Sequence, residues 1–209
     1  MNPLAAIHSI KRSGDEYFHI DGNQIDSNLL SFWRWSSSEL LGNALRGVLA
    51  EYLVATDLGC NSGVRQEWDA YDILTDDGVR IEVKSAAYLQ SWNQKRLSSI
   101  QFGIAPTFGW NARTNETATE KSRQSDAYVF CVLAHKDMAT VDPMNLTQWD
   151  FYILATRILN LSVETQATMT LSRLLQLGPH KCKYGELSQG VRRALATKSE
   201  QDAAVKSKR

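Results

Sequence analysis

The chain has 209 residues, which is enough for one domain with a sizeable hydrophobic core. Lys and Arg together number 23, and so do Asp and Glu, so the formal net charge is zero. A balanced charge argues against a protein that coats nucleic acid through a bulk positive field. It does not argue against an enzyme that touches nucleic acid briefly through a local basic patch.

The cysteines and the absence of long apolar runs favour a location in the cytoplasm. Cys60, Cys131 and Cys182 are odd in number and widely spaced, which argues against a disulfide framework and favours a reducing environment. The first 20 residues show no signal-peptide pattern, and no stretch approaches the roughly 18 consecutive apolar residues of a membrane span. We therefore expect a soluble cytoplasmic protein with no membrane partner.

The apolar and turn residues predict a series of short elements. Serines 36 to 38 offer an N-cap to a helical pattern that runs from Glu39 to Leu58 and ends at Gly59. Residues 106–124 are rich in Thr, Asn, Gly and Arg, and we expect a long loop there. The other predicted elements are a hairpin over 17–25, strands over 71–75, 79–84, 98–105, 127–135 and 148–156, and helices over 162–176 and 186–197.

The order of these elements predicts the fold. The strands at 127–135 and 148–156 are near-continuous apolar runs, as expected for strands covered on both faces. They favour an α/β/α sandwich in which helices flank a central mixed β-sheet. We assign the chain to four parts: an N-terminal extension over 1–35, the α/β core over 36–160, C-terminal helices packed on the core over 161–198, and a flexible tail over 199–209.

Glu51 is an anomaly on the predicted helix. At about 100° per residue, the positions around Glu51 are apolar or Gly, whereas Asn43, Arg46 and Asp57 lie toward the other side. Ionised carboxylates are almost never fully buried unless they are paired or bound to a metal. Glu51 therefore either points into a polar site between helix and sheet, or lies at the helix rim and pairs with an arginine.

The turn between two short predicted strands decides where Asp72 points. If residues 76–78 form a three-residue loop with Gly78 in its left-handed position, Asp72 lies opposite Glu82 and two isoleucines pair. A two-residue loop would shift the register by one residue and turn Asp72 away from Glu82. We favour the three-residue loop because it pairs apolar with apolar residues.

This register implies a chemistry. Two carboxylates directly opposite each other, roughly 5 Å apart at Cβ, repel unless positive charge offsets them. Lys84, on the same strand face as Glu82, supplies one positive charge, and Mg²⁺ would supply the rest through Asp72, Glu82 and Glu51. The backbone carbonyl of Val83 is expected near the metal. The set fits metal-assisted phosphodiester hydrolysis, in which Lys84 orients or helps to deprotonate the attacking water.

The same residues resemble a known family. The stretches NALRGVLAEYLVA (43–55) and WDAYDILTDDGVRIEVKSAAYLQSW (68–92) are similar to a bacterial branch of the PD-(D/E)XK nuclease superfamily, which has a restriction-endonuclease-like fold. The resemblance implies Asp72, Glu82 and Lys84 as the catalytic core, with Glu51 as the acid on the helix. It also implies a Mg²⁺-dependent DNA endonuclease of the restriction, defence or repair type, in which Mn²⁺ can replace Mg²⁺.

The chain departs from the superfamily pattern at two places. Tyr71 stands where the motif nominally has Pro, which has no consequence for the chemistry. The Gln-x-x-x-Tyr pattern of the lambda-exonuclease-like branch is absent, since Gln90 is followed four residues later by Gln94. The second departure favours an endonuclease over a processive exonuclease.

Several side chains are candidates for contact with the nucleic acid. Asp69, three residues before Asp72, is the nearest competitor for the role of that aspartate, but we expect a turn or cap there. The alternative for the basic candidates is a solvated loop with scattered charges. The predicted basic and aromatic surface consists of Trp92, Lys95, Arg96, Arg113, Lys121 and Arg123.

Other function classes stay open at this point. A chain that keeps the fold without catalysis would be a DNA-binding or assembly module, and an unrelated α/β protein would carry Glu82 and Lys84 on a plain solvated strand. A homodimer is expected if both DNA strands are cut together, because one site addresses one strand. The chain has no Gly-rich phosphate loop, so we expect no nucleotide cofactor.

Overall fold

A five-stranded sheet forms the centre of the computed structural model, which describes residues 7, 9–66, 70–111 and 114–196. Its strands are β3 (Ile73–Leu74), β4 (Arg80–Ala87), β8 (Ala127–Leu133), β9 (Trp149–Ala155) and β11 (His180–Cys182). Their order across the sheet is β11-β9-β8-β4-β3. The β4–β8 pair is parallel and the other neighbours are antiparallel, so the sheet is mixed.

The two central strands, β8 and β9, are buried along almost their whole length. Every residue of β8 is buried, and so is every residue of β9 except Asp150. A strand covered on both faces needs apolar side chains at successive positions, which is why these segments lack alternation. The two strands predicted from the apolar runs are confirmed.

Helices cover both faces of this sheet. On one face, α2 (Asn43–Asp57) packs against β4, which contributes Ile81 and Val83 to the core, and α5 (Leu187–Leu195) packs against β8, β9 and β11. On the other face lie α3 (Thr156–Val163), α4 (Leu171–Gln176) and a small two-stranded sheet of β5 (Gln101–Gly103) and β10 (Thr168–Thr170). The predicted α/β sandwich is confirmed. Because strand residues alternate in direction, Glu82 and Lys84 point to this second face.

The N-terminal region is more regular than predicted. The hairpin of β1 (Tyr17–Ile20) and β2 (Asn23–Asn28) was expected, but α1 (Leu29–Ser37) was not. Asn28 caps α1, since its side chain accepts a hydrogen bond from the Ser31 N–H. The helix predicted from Glu39 is wrong at its start, because Oε1 of Glu39 accepts hydrogen bonds from the N–H groups of Leu41 and Gly42 and holds a turn before α2.

Two further predictions are wrong. The expected loop over 106–124 contains an antiparallel hairpin of β6 (Thr107–Asn111) and β7 (Glu116–Ser122). All residues of β7 are exposed, so the hairpin has no dry face to produce an alternating pattern. The helix predicted over 162–176 is interrupted by β10, which pairs with β5. Within the described ranges, no helix has both the length and the apolar character needed to cross a membrane.

Candidate active site

The β3–β4 hairpin has the predicted register. Ile73 lies opposite Ile81, and Gly78 has a φ of 83°, which favours glycine. The N–H of Asp72 donates to the carbonyl of Ile81 at 3.0 Å, so Asp72 lies against the stretch of β4 that carries Glu82. The three-residue loop is confirmed, and the two acids lie side by side.

Asp72 is held firmly by the backbone of the neighbouring strand. Its Oδ2 accepts a hydrogen bond from the Val83 N–H at 2.6 Å. Because the N–H and C=O of one strand residue point to the same side, the Val83 carbonyl also faces Asp72. The hairpin therefore presents a carboxylate and a backbone oxygen together at the edge of the sheet.

Asp72 is a partly buried acid that lies close to other acids. Burial raises the pKa of Asp72 from 3.8 to about 7, with smaller contributions from the nearby charges of Glu82 and Glu51. The Val83 N–H and the charge of Lys84 act in the opposite direction. The raised pKa of Asp72 therefore reflects burial first and the neighbouring acids second.

Lys84 is a cation that acts on both acids. Its Nζ lies 2.5 Å from Oε1 of Glu82, and the two side chains are 32% and 20% exposed. Both side chains are on the same strand face, two residues apart, as the sequence predicts. The Lys84 ammonium group thus pairs with Glu82, one of the two neighbouring acids.

Glu51 lies near the site but not where the helical periodicity placed it. The buried residues of α2 are Arg46, Ala50, Leu53 and Val54, so the face that packs on the sheet is turned away from Glu51. The Glu51 carboxylate, 16% exposed, accepts two hydrogen bonds from Arg65, one of them from Nη2 at 3.1 Å. The arginine-pairing alternative therefore describes its contacts.

Arg46 was predicted on the polar side of α2, and this is wrong. It is only 3% exposed and donates four hydrogen bonds inside the protein. Burial lowers the pKa of its guanidinium. A buried arginine is tolerated because its donors find acceptors. These acceptors are the Leu41 carbonyl, Gln90 Oε1, Asn43 Oδ1 and Ser85 Oγ.

Asp72, Glu82 and Lys84 open into a cleft of about 800 Å³. The stem of the β6–β7 hairpin forms one wall, with Phe108 and Trp110, and both of these aromatic side chains are exposed. The site is therefore bounded by a segment that the sequence predicted to be a structureless loop.

Tyr128 is a residue of the cleft that the sequence analysis missed. It lies in register with Glu82 on the neighbouring strand β8 and is 4% exposed. Burial and the charge of Glu82 raise its pKa to about 12. Only the parallel pairing of β4 with β8 brings the two side chains together. Inside the apolar run AYVFCVL, no local signal distinguishes this tyrosine from a core residue.

The predicted nucleic-acid surface is divided. Trp92, Lys95 and Arg96 line a separate depression in the 92–99 loop. Lys121 is on the β6–β7 hairpin, with its Nζ 5.2 Å from the centre of the Phe108 ring. Arg123 lines the cleft and is buried. Asp69 and Arg113 lie outside the described residues.

Asp72 and Glu82 would suit Mg²⁺ better than a structural zinc ion. In the part of the chain that the structure describes, no group of three or more His, Cys, Asp or Glu side chains is arranged to hold a metal. Two carboxylates suit Mg²⁺, which usually binds one or two carboxylates and completes its shell with water and phosphate oxygens. Two carboxylates do not make the four-ligand set of a structural zinc site.

Comparison with known proteins identifies a family. The family model described as bacteriophage T4 endonuclease IV matches residues 19–173, about three quarters of the chain. This segment includes both strands of the acidic hairpin, the cleft wall and four of the five strands of the central sheet. No individual curated protein matches the chain. Since the match spans most of the molecule, the chain belongs to the bacteriophage T4 endonuclease IV family, a family of endonucleases.

Proposed function

We propose that the protein is a Mg²⁺-dependent endonuclease that hydrolyses phosphodiester bonds in DNA, with a PD-(D/E)XK-type site. The observation that carries the proposal is the pair Asp72 and Glu82, which lie close together beside Lys84 and line one cleft. Membership in an endonuclease family supports the reaction class.

The raised pKa of Asp72 is the observation that fits a divalent cation at this site. Asp72 and Glu82 would hold the ion, with the Val83 carbonyl as a third oxygen donor. Mn²⁺ is expected to replace Mg²⁺ because both accept oxygen ligands. When bound, such an ion neutralises the scissile phosphate and lowers the pKa of a coordinated water.

The protein's own groups have separate tasks. The Val83 N–H fixes one oxygen of Asp72, so its other oxygen faces the ligand with little freedom. Lys84 can leave its contact with Glu82 and donate to a phosphate oxygen or to the attacking water, where it stabilises charge in the transition state. Glu51 adds negative charge close to Asp72, and its ion pair with Arg65 offsets part of that charge.

Replacement of Lys84 tests the assignment. Lys84→Ala is expected to lower the rate of plasmid cleavage in Mg²⁺ by at least roughly a hundredfold, because a preorganised cation is lost from the transition state. The fold should be intact by circular dichroism and thermal melting. Wild-type cleavage should be restored by Mn²⁺ after EDTA treatment and absent in EDTA alone.

A matched lysine provides the control. Lys183 pairs with Asp150 at 2.7 Å, as Lys84 pairs with Glu82, but it lies outside the cleft. Lys183→Ala should cleave like wild type. Full activity in Lys84→Ala would refute the catalytic assignment. A wild-type chain that binds DNA and leaves it intact with either metal would instead be an inactive DNA-binding module.

A further inference from the structure

Arg123 is a buried charged residue at the stem of the β6–β7 hairpin. It is 8% exposed, although it directly follows the fully exposed strand β7. Its Nε donates to the Ile104 carbonyl and its Nη1 to Oδ1 of Asn160, both at 2.8 Å. Since Ile104 precedes the hairpin and Arg123 follows it, these contacts tie both ends of the hairpin to α3.

The third nitrogen of Arg123 has no acceptor among the described residues. Nη2 is buried and makes no hydrogen bond within that part of the chain. Among the described residues, no carboxylate forms an ion pair with Arg123, and both of its acceptors are neutral. Buried charged groups are normally paired, and an unsatisfied buried donor is destabilising. The arrangement therefore lacks an anion.

The cleft is where an anion would arrive. Arg123 lines the same cleft as Asp72, Glu82 and Lys84. Tyr128, which is in register with Glu82 on β8, lines the same cleft. Arg123 and the two acids therefore line one cavity.

We propose that Arg123 is a phosphate-binding residue of this cleft, and that its Nη2 takes an oxygen of a phosphodiester group in the bound polynucleotide. The proposal deepens the proposed function and rests on it for the choice of a polynucleotide. A guanidinium suits this role because it is planar, always charged, and able to donate while its other nitrogens stay engaged. Nη2 has almost no accessible surface in the free protein, so contact requires a small rotation of the guanidinium or an outward movement of the hairpin stem.

The first test uses inorganic phosphate without any divalent metal. Thermal melting in EDTA compares phosphate with chloride at equal ionic strength, for wild type, Arg123→Gln and Asn160→Ala. At about ten times the dissociation constant, phosphate should raise the wild-type Tm by on the order of 3 °C beyond the general salt effect. Arg123→Gln should lose this specific shift.

Asn160→Ala is the matched control for the structural contact of Arg123. It removes the acceptor of Nη1 and leaves Nη2 unchanged. Its Tm should be lower than that of wild type, but its shift in phosphate should be the same. An equal phosphate shift in wild type and Arg123→Gln would overturn the proposal, since Nη2 would then be satisfied by water or remain inaccessible.

The second test distinguishes a polynucleotide from free phosphate. Fluorescence anisotropy in EDTA measures the binding of a labelled oligodeoxynucleotide, which should weaken at least tenfold in Arg123→Gln and remain unchanged in Asn160→Ala. Loss of the phosphate shift without loss of oligonucleotide affinity would overturn the assignment to the polynucleotide backbone. If Arg123→Gln does not fold, Arg123→Lys replaces it, with an expected weakening of about threefold or more through loss of the planar fork.

Failure of this proposal and failure of the proposed function give different results. Both tests are made without metal and measure binding, not cleavage. A wild-type protein that binds phosphate through Arg123 but never cleaves DNA refutes only the nuclease. A protein that cleaves DNA and binds phosphate equally well after Arg123→Gln refutes only the role of Arg123.

Discussion

The two faces of the central sheet differ in whether their buried polar groups find partners within the protein. On the α2 face, Arg46 donates four hydrogen bonds, and Asp57 accepts one from the Leu187 N–H at 2.8 Å where α5 begins. On the cleft face, Asp72 is held beside a second acid and Arg123 keeps a donor without an acceptor. The first face is complete within the protein, and the second is not.

This difference separates stability from ligand binding. A polar group whose hydrogen bonds all end within the protein can hold two elements together, as Arg46 holds α2 to the end of β4. A polar group with an unmet interaction destabilises the free protein and becomes favourable only when a ligand completes it. Substitutions on the α2 face should therefore lower stability, and those on the cleft face should change binding, catalysis or pH dependence.

The largest effect on stability is expected at Arg46. Arg46→Ala should lower the free energy of unfolding by about 3 kcal/mol, because Gln90 and the Leu41 carbonyl lose their buried donor. Urea denaturation measures the loss, and cleavage per folded molecule should stay near the wild-type value. Arg34→Ala, at an exposed arginine of α1, is the control and should cost less than about 0.5 kcal/mol. A loss below about 1 kcal/mol at Arg46 would contradict the structural role of this face.

A smaller effect with the opposite sign is expected at Asp72. In the folded protein its pKa is about 7, against an ordinary value of 3.8, so between these pH values the native state holds one more proton than the unfolded chain. The metal-free protein should therefore lose stability as the pH rises from about 4 to about 7. Asp72→Asn keeps an acceptor for the Val83 N–H and removes this loss. At pH 8 it should be more stable than wild type by about 2 kcal/mol, and at pH 4 it should not.

Urea denaturation in EDTA across this pH range provides the measurement. Asp126→Asn is a control of opposite sign, because Arg80 lowers the pKa of Asp126. The Asp126 carboxylate contributes stability that is present above its unfolded pKa and lost as the pH falls. A wild-type stability that does not fall relative to Asp72→Asn would show that the charge near Asp72 is already balanced.

The smallest effect on stability is expected at Gly78. A substitution there tests whether the turn positions Asp72 on the cleft face. Gly78 and Gly22 have φ values of 83° and 81°, and a Cβ at either position would meet no atom within 4 Å. Alanine at either should cost about 1 kcal/mol through backbone strain alone. Only Gly78→Ala should also slow cleavage, by roughly threefold or more, since small displacements of reacting groups reduce rates. Equal cleavage by the two variants would mean that the site does not depend on the strain at this turn.

The hairpin register could be predicted from sequence because its determinants are local. Gly78 fixes the turn, and the pairing of Ile73 with Ile81 allows one register only. The central strands could be predicted for a similar reason, since a strand that is buried on both faces has a short, continuous run of apolar residues.

The misplaced residues depend on contacts distant in sequence. Small and apolar residues surround much of α2, so helical periodicity does not define which side packs on the sheet. The acceptors of Arg46 at Ser85 and Gln90 decide it, and they are 39 and 44 residues away. Tyr128 joins the site only through the parallel pairing of β4 with β8. The β6–β7 hairpin is exposed and therefore left no apolar pattern to detect.

The position of that hairpin has a consequence for how the protein can change. Parallel strands need a crossover connection, and between β4 and β8 this connection contains the hairpin that walls the cleft. Its ends are joined at Arg123, so a longer or shorter tip would add only a small, logarithmic loop-closure cost. None of the central strands would have to shift. The wall of the cleft can thus change in length while the hairpin that carries Asp72 and Glu82 keeps its geometry.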